Sequence, residues 1–183
     1  MSEERHITLE PVAEEDLPVF ARKLQESFSL AVRETFGITD LVPSLDDIAA
    51  SYTAEDAVSY HIVQNSRRVG GTVLVINEET QHNTLELFFI SPEYHSRGLG
   101  LAAWEAIEKA YPDTKVWQTV TPYFEKRNIH FYVNKCKFHI VEFFHEHHRD
   151  PNYPNMESQP DFPGSDVYFR FEKVMKPSSS RTA

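Results

Sequence analysis

Two glycines, Gly98 and Gly100, follow an apolar run that ends at Ser91-Pro92 and lead directly into a helical pattern. Strand, glycine turn and helix in that order suit a phosphate site. Glycine lets backbone N–H groups approach a ligand without Cβ interference, and a helix N-terminus carries partial positive charge. Two familiar phosphate loops do not match. A P-loop requires Gly-Lys followed by Ser or Thr, and a dinucleotide fingerprint requires a third glycine near Ala103; the sequence has neither. A second group with chemical potential is His139, His145, His147 and His148, in which His145 and His147 would share one face of a strand. The spacing is not that of a helical zinc protease, and strand-end histidines are more often solvated or hydrogen-bonded, so no metal is expected. The one cysteine, Cys136, reads as a small buried hydrophobe because no activating neighbour stands beside it.

Residues 84–144, and most specifically residues 88–100, resemble the acyl-CoA signature of the GCN5-related N-acetyltransferases. That signature is Gln/Arg-x-x-Gly-x-Gly/Ala after an apolar strand closed by a short proline-containing turn. His95 stands where the family usually has glutamine or arginine; its ring can still donate a hydrogen bond, with a charge that follows pH. The resemblance implies a mixed α/β fold with a mostly antiparallel sheet flanked by helices, a splayed strand pair and a β-loop-α acyl-CoA site. It implies acetyl-CoA as co-substrate and direct transfer of the acetyl group to a primary amine, with a small molecule as the expected acceptor. Phe88, Phe89 and Ile90 would offer backbone groups to the pantetheine and the thioester carbonyl. His95, Ser96, Arg97, Gly98, Leu99 and Gly100 would hold the pyrophosphate, and Asn128 would face the cofactor.

Such a transfer needs a neutral amine, a donor for the developing oxyanion and an exit for a proton. By the resemblance, Glu86 is the candidate base or entry to a proton wire, and burial would raise its pKa toward use. It is equally the outward polar member of the alternating Leu85-Glu86-Leu87. The later segment, Asn128 to Phe138, resembles the family's Asn, Phe-Tyr, Gly-Phe pattern with a broken register: Val133 takes the tyrosine position, Lys137 the glycine position, and Tyr132 comes one residue early. Tyr132 remains the candidate to protonate the CoA thiolate if a local helix irregularity restores its direction; otherwise it is a core aromatic. If Lys137 adopts a left-handed backbone in place of glycine, it costs about 1 kcal/mol. The alternative function is a non-catalytic acyl-CoA-binding or regulatory module of the same fold, and turnover separates the two.

The elements that must position these groups follow from apolar spacing. Residues 7–12 alternate as an opening strand, and residues 14–28 place Leu17, Phe20, Leu24 and Phe28 at helical intervals. A second helical piece is expected over 30–36, ending at Gly37, and a third from Ser44 with Asp46 or Asp47 in its first turn. Residues 58–64, 69–76 and 84–90 read as an antiparallel meander turning at residues 65–68. An apolar helical face over residues 99–110 and a strand over 115–120 complete a β-loop-α-β unit with parallel pairing. A short helix over 128–135 and strands over 138–144 and 167–171 close the chain. The long proline-rich loop 149–165, together with the segment at residues 36–40, is where the resemblance puts the acceptor pocket. One domain over residues 1–176 is expected, with a disordered tail over 177–183.

Composition agrees with one domain. The chain has 183 residues, 40% hydrophobic and 13% aromatic, enough for one substantial core. No run is long and apolar enough to span a membrane, and the opening Met-Ser-Glu-Glu-Arg-His lacks a secretory signal's apolar stretch, so a cytoplasmic location is expected. The net charge of −10, from 18 Lys and Arg against 28 Asp and Glu, opposes non-specific nucleic-acid binding and mildly favours cationic partners. Pairing of two chains is expected only by analogy with the family.

Overall fold

The structure, a computed structural model, describes residues 6–95, 97–152, 164 and 166–177. Seven strands form one sheet in the order β1-β2-β3-β4-β5-β7-β6. The first half is the expected meander: β1 (Ile7–Pro11), β2 (Ala57–Gln64), β3 (Arg67–Val75) and β4 (His82–Ile90) pair antiparallel in sequence. Asn65 and Ser66 both adopt positive φ, 48° and 61°, giving a two-residue turn whose twist suits a hairpin. The arginines expected in that turn instead begin β3.

Helix α1 (Leu17–Phe36) is continuous, where the sequence reading expected pieces over 14–28 and 30–36. No breaker separates Phe28 from Leu30. The intervening Ser29 is buried, its hydroxyl donating to the Val42 carbonyl and accepting from the Val42 N–H, both at 3.0 Å. Gly37 ends α1 in a left-handed cap at φ 68°. Helix α2 (Leu45–Thr53) starts at Ser44, whose Oγ accepts from the Asp47 N–H at 3.1 Å.

Helix α3 (Leu99–Ala110) returns the chain to β5 (Val116–Pro122), which runs parallel to β4. Next come α4 (Lys126–His130), a single π-helical turn (Phe131–Lys135), β6 (His139–Phe144) and β7 (Tyr168–Val174). β7 inserts antiparallel between β5 and β6.

Adjacent strand residues feed opposite faces of the sheet. Val73 and Phe89 pack with Phe20, Leu24 and Ile48 of α1 and α2. Leu74 and Leu85 pack with Trp104, Ile107, Trp117, Tyr132 and Phe138 on the α3 side. Each large apolar side chain fully buried here contributes about 1.5–3 kcal/mol. The two tryptophan rings meet edge to face at 5.4 Å, tying α3 to β5. No helix among the described residues is long and apolar enough to cross a membrane. Apart from Pro177, the expected tail lies outside the described residues, as does most of the proline loop.

Candidate active site

The site begins where two strands part. β4 and β5 pair only over His82, Asn83 and Thr84 against Val116, Trp117 and Gln118. Beyond that fork a side chain makes the next link, the Thr119 hydroxyl donating to the Leu85 carbonyl at 2.8 Å. The rest of β4 therefore has no ladder partner on its β5 side, which leaves backbone groups of residues 86–90 open to a ligand. A bulge at Glu86, where Val73 pairs with Leu87 and Leu74 with Leu85, adds to the divergence. Thr119 gave no sequence signal, because its value lies in a partner on another strand.

At its far end β4 runs into the glycine loop through a one-turn 3-10 helix, Pro92–Tyr94. The His95 ring folds back, Nε2 lying 2.7 Å from the Ile90 carbonyl. A carbonyl only accepts, so Nε2 carries the hydrogen and Nδ1 of the neutral ring is an acceptor. The neutral side chain thus closes the turn and has no second donor for a phosphate; it gains one only on protonation. Gly98 is the N-cap of α3 at φ 71°, a left-handed conformation that favours glycine. The first-turn N–H groups beyond it have no partner within the helix. Gly100 has a packing duty, since a Cβ there would lie 3.2 Å from Cε2 of Phe131, whose ring stacks on Phe88 at 5.8 Å.

These parts enclose a cleft of about 660 Å³. Phe88, Phe89 and Ile90 form one wall; His95, Gly98, Leu99 and Gly100 form the glycine end, and Asn128 and Tyr132 face them from the α4 segment. The C-terminal half of α1, including Phe28, Ala31 and Glu34, closes another side. Lys126, Arg127 and Lys135 place cations on the cleft, which favours an anionic ligand on a protein whose net charge is −10. One expected cofactor group does not reach the wall: the Arg97 guanidinium lies over the Tyr94 ring at 5.8 Å. Ser96 falls outside the described residues. The Phe36 ring meets Phe124 at 5.0 Å, linking the end of α1 to the segment before α4.

Tyr132 sits in the π-turn, where the Cys136 N–H donates to the Phe131 carbonyl at 2.9 Å. This turn holds one residue more than an α-turn and takes up the surplus that displaces Tyr132 in the sequence. Lys137 follows at φ 67°, the left-handed position foreseen for it. Tyr132 is 6% exposed, and burial pushes its hydroxyl pKa well up, with the Thr119 hydroxyl beside it acting the other way. Cys136 is buried and its thiol is pushed up to about 12 by burial, which disfavours the nucleophilic thiolate.

Glu86 does not touch the cleft. Its carboxylate accepts from Ser51 of α2 at 3.5 Å, and burial raises its pKa against that hydrogen bond. Glu125, which sequence reasoning passed over, does line the cleft. Burial raises its pKa, Arg127 opposes the rise and Glu34 adds to it.

The closing strand β6 ends at Phe144 as expected, so the face that His145 and His147 were to share does not form. His145 and His148 bridge a turn instead. His148 Nε2 lies 2.9 Å from Glu142, whose other oxygen pairs with Arg170 at 2.7 Å. Among the described residues no three His, Cys, Asp or Glu side chains come together to hold a metal.

The model of the acetyltransferase (GNAT) family matches residues 22–138. A protein of Bacillus subtilis (strain 168), the uncharacterised YrkN, is 55% identical over 177 residues, covering 94% of this chain and 96% of its own. Among solved structures, a GNAT family acetyltransferase from Elizabethkingia anophelis with acetyl-CoA bound superposes with a TM-score of 0.67 at 13% identity, over 94% of this chain and all of the other. The spermidine N-acetyltransferase of Vibrio cholerae, in complex with CoA and spermine, gives 0.66 at 12% identity over 93% and 96% of the two chains. At such identities the likeness concerns the fold.

Proposed function

The chain belongs to the GNAT family of acetyltransferases, and from that premise we propose that it moves the acetyl group of acetyl-CoA directly to a primary amine of a small-molecule acceptor. The observation that carries this reading is the meeting, in one cleft, of an unpaired strand edge with a glycine-capped helix N-terminus. A thioester ligand with a polyphosphate at one end needs both. The N–H groups around Gly98, Leu99 and Gly100 are suited to a pyrophosphate, with Lys126 and Arg127 adding charge, His95 closing the turn, and Ser96 and Arg97 completing the loop. The open edge over Phe88, Phe89 and Ile90 is suited to pantetheine, a backbone N–H there polarising the thioester carbonyl. Asn128 borders the same chamber. The bound acetyl-CoA supplies the activated acyl group and its thiol leaving group.

Tyr132 is assigned protonation of the departing thiolate. A hydroxyl with a raised pKa keeps its proton at neutral pH. Glu86, the base implied by the resemblance, can act only through water, since its carboxylate faces Ser51 outside the cleft wall. A small amine as acceptor is supported by the Vibrio cholerae neighbour, which holds spermine, and by the acidic balance of this chain.

Calorimetric titration with acetyl-CoA tests the cofactor half of the reading. The parent should bind in the micromolar range, and Gly98→Glu should abolish binding while a melting curve confirms that the variant remains folded. Thiol release with spermidine, tyramine and glycinamide then tests the transfer. Binding without turnover of any amine points to the non-catalytic acyl-CoA module; no binding by the parent rejects both readings.

A further inference from the structure

Glu125 stands where β5 passes into α4, at the N-cap position of that helix, yet its side chain caps nothing. A carboxylate in that place ordinarily accepts from the helix's first free N–H groups. Here it borders the cleft instead, and among the described residues it has no hydrogen-bond partner. Exposed Glu34 of α1 and Tyr132 of the π-turn line the same chamber, and Lys126 and Arg127 follow Glu125 on its own segment. Glu86, by contrast, is directed at Ser51. A general base must come within hydrogen-bond reach of the proton it removes, or within one water of it.

The geometry points to Glu125 as the carboxylate that takes the proton of the acceptor ammonium, an assignment that rests on the acetyl-transfer reading above. An N–H bond of the ammonium breaks, its proton passing to a Glu125 oxygen and its electron pair staying on nitrogen. That pair forms the C–N bond to the thioester carbonyl carbon, and the C–S bond then breaks with its electrons on sulfur. The thiolate takes the Tyr132 hydroxyl proton, and a second proton from nitrogen restores Tyr132. Glu125 returns its proton to solvent past Glu34, so one acetamide, one thiol and one proton leave the enzyme. Partial burial, which raises the Glu125 pKa, moves the group toward a working base at neutral pH.

The test is the pH profile of kcat/KM for thiol release, with acetyl-CoA and spermidine, tyramine or glycinamide. Glu125→Gln should lower kcat about 100-fold or more and flatten the acidic limb, with acetyl-CoA affinity and melting midpoint retained. Glu125→Asp should recover part of the rate with its pH dependence. Glu34→Gln removes a charge that holds the Glu125 pKa up, so the acidic limb should move to lower pH; a filler at the cleft wall would not produce that shift. A Glu125→Gln enzyme with parental rate and parental limb overturns the assignment while leaving acetyl transfer intact. A parent that binds acetyl-CoA and turns over none of the three amines overturns the acetyl-transfer reading and this assignment with it.

Discussion

Lys137 holds a backbone conformation that its side chain opposes. Its φ is 67°, where a non-glycine residue costs roughly 1–2 kcal/mol, and the side chain's own offset is the hydrogen bond from its Nζ to the Asn134 carbonyl at 2.7 Å. That bond is exposed and contributes little. Lys137→Gly should therefore stabilise the protein by about 1 kcal/mol, raising the melting midpoint by about 2–4 °C for a chain of this size. Calorimetric melting decides it, and a lower midpoint would mean that the lysine bond outweighs the strain. The left-handed residue is the exit from the turn that carries Tyr132, so the strain lies next to the site's candidate acid. His95 shows a related economy: the nitrogen offered by the sequence for a ligand is used to bind the Ile90 carbonyl, and the loop gains a fixed shape.

At the level of elements, the sequence was legible wherever the signal is local. The helix after Gly98, the parallel return to β5 and the meander all follow from apolar spacing punctuated by glycine, proline or a capping serine. Three features were not legible, for a common reason. The continuity of α1 through Ser29 depends on Val42 of a distant loop; the fork depends on Thr119 reaching across to Leu85; and Glu125 acquires meaning only from the walls around it. The π-turn lies between these cases, because the broken spacing announced an irregularity without giving its form. The glycine pair Gly70-Gly71 was likewise silent. A Cβ on Gly70 would lie 2.2 Å from the Phe89 carbonyl oxygen, and one on Gly71 would lie 2.3 Å from Cε2 of Phe20. A ring can rotate away and backbone cannot, so Gly70→Ala should destabilise by about 3 kcal/mol and Gly71→Ala by less. Urea titration of both variants checks the order; equal midpoints would show that β4 shifts to accommodate the methyl group. The same close approach sets the path of β4 toward the cleft, so Gly70→Ala should also weaken acetyl-CoA binding in whatever fraction remains folded.

For the whole molecule, the buried titratable groups make stability depend on pH in opposite senses. His61 is 6% exposed, and its Nε2 has no hydrogen-bond partner, with Asp16 at 3.7 Å. Burial, then the Arg68 charge, lowers its pKa below the ordinary 6.5. The unfolded chain therefore takes up a proton that the folded protein refuses, and stability drains away as pH falls through about 6.5 toward the folded value. Glu86 and Glu125 act the other way: burial raises their pKa above 4.5, the folded state keeps protons that the unfolded state has lost, and their contribution declines as pH rises through that window. Replacing His61 isolates its share: the melting midpoint of the parent relative to His61→Gln should decline steadily from about pH 7.5 to about pH 5.5. A difference that stays constant over that range would mean that His61 is protonated to the same extent in the folded and unfolded chains, and that the Asp16 carboxylate compensates its burial in full. A declining difference would instead set an acid limit on the fold apart from any limit on catalysis, because His61 lies on β2, outside the cleft that Glu125 and Tyr132 line.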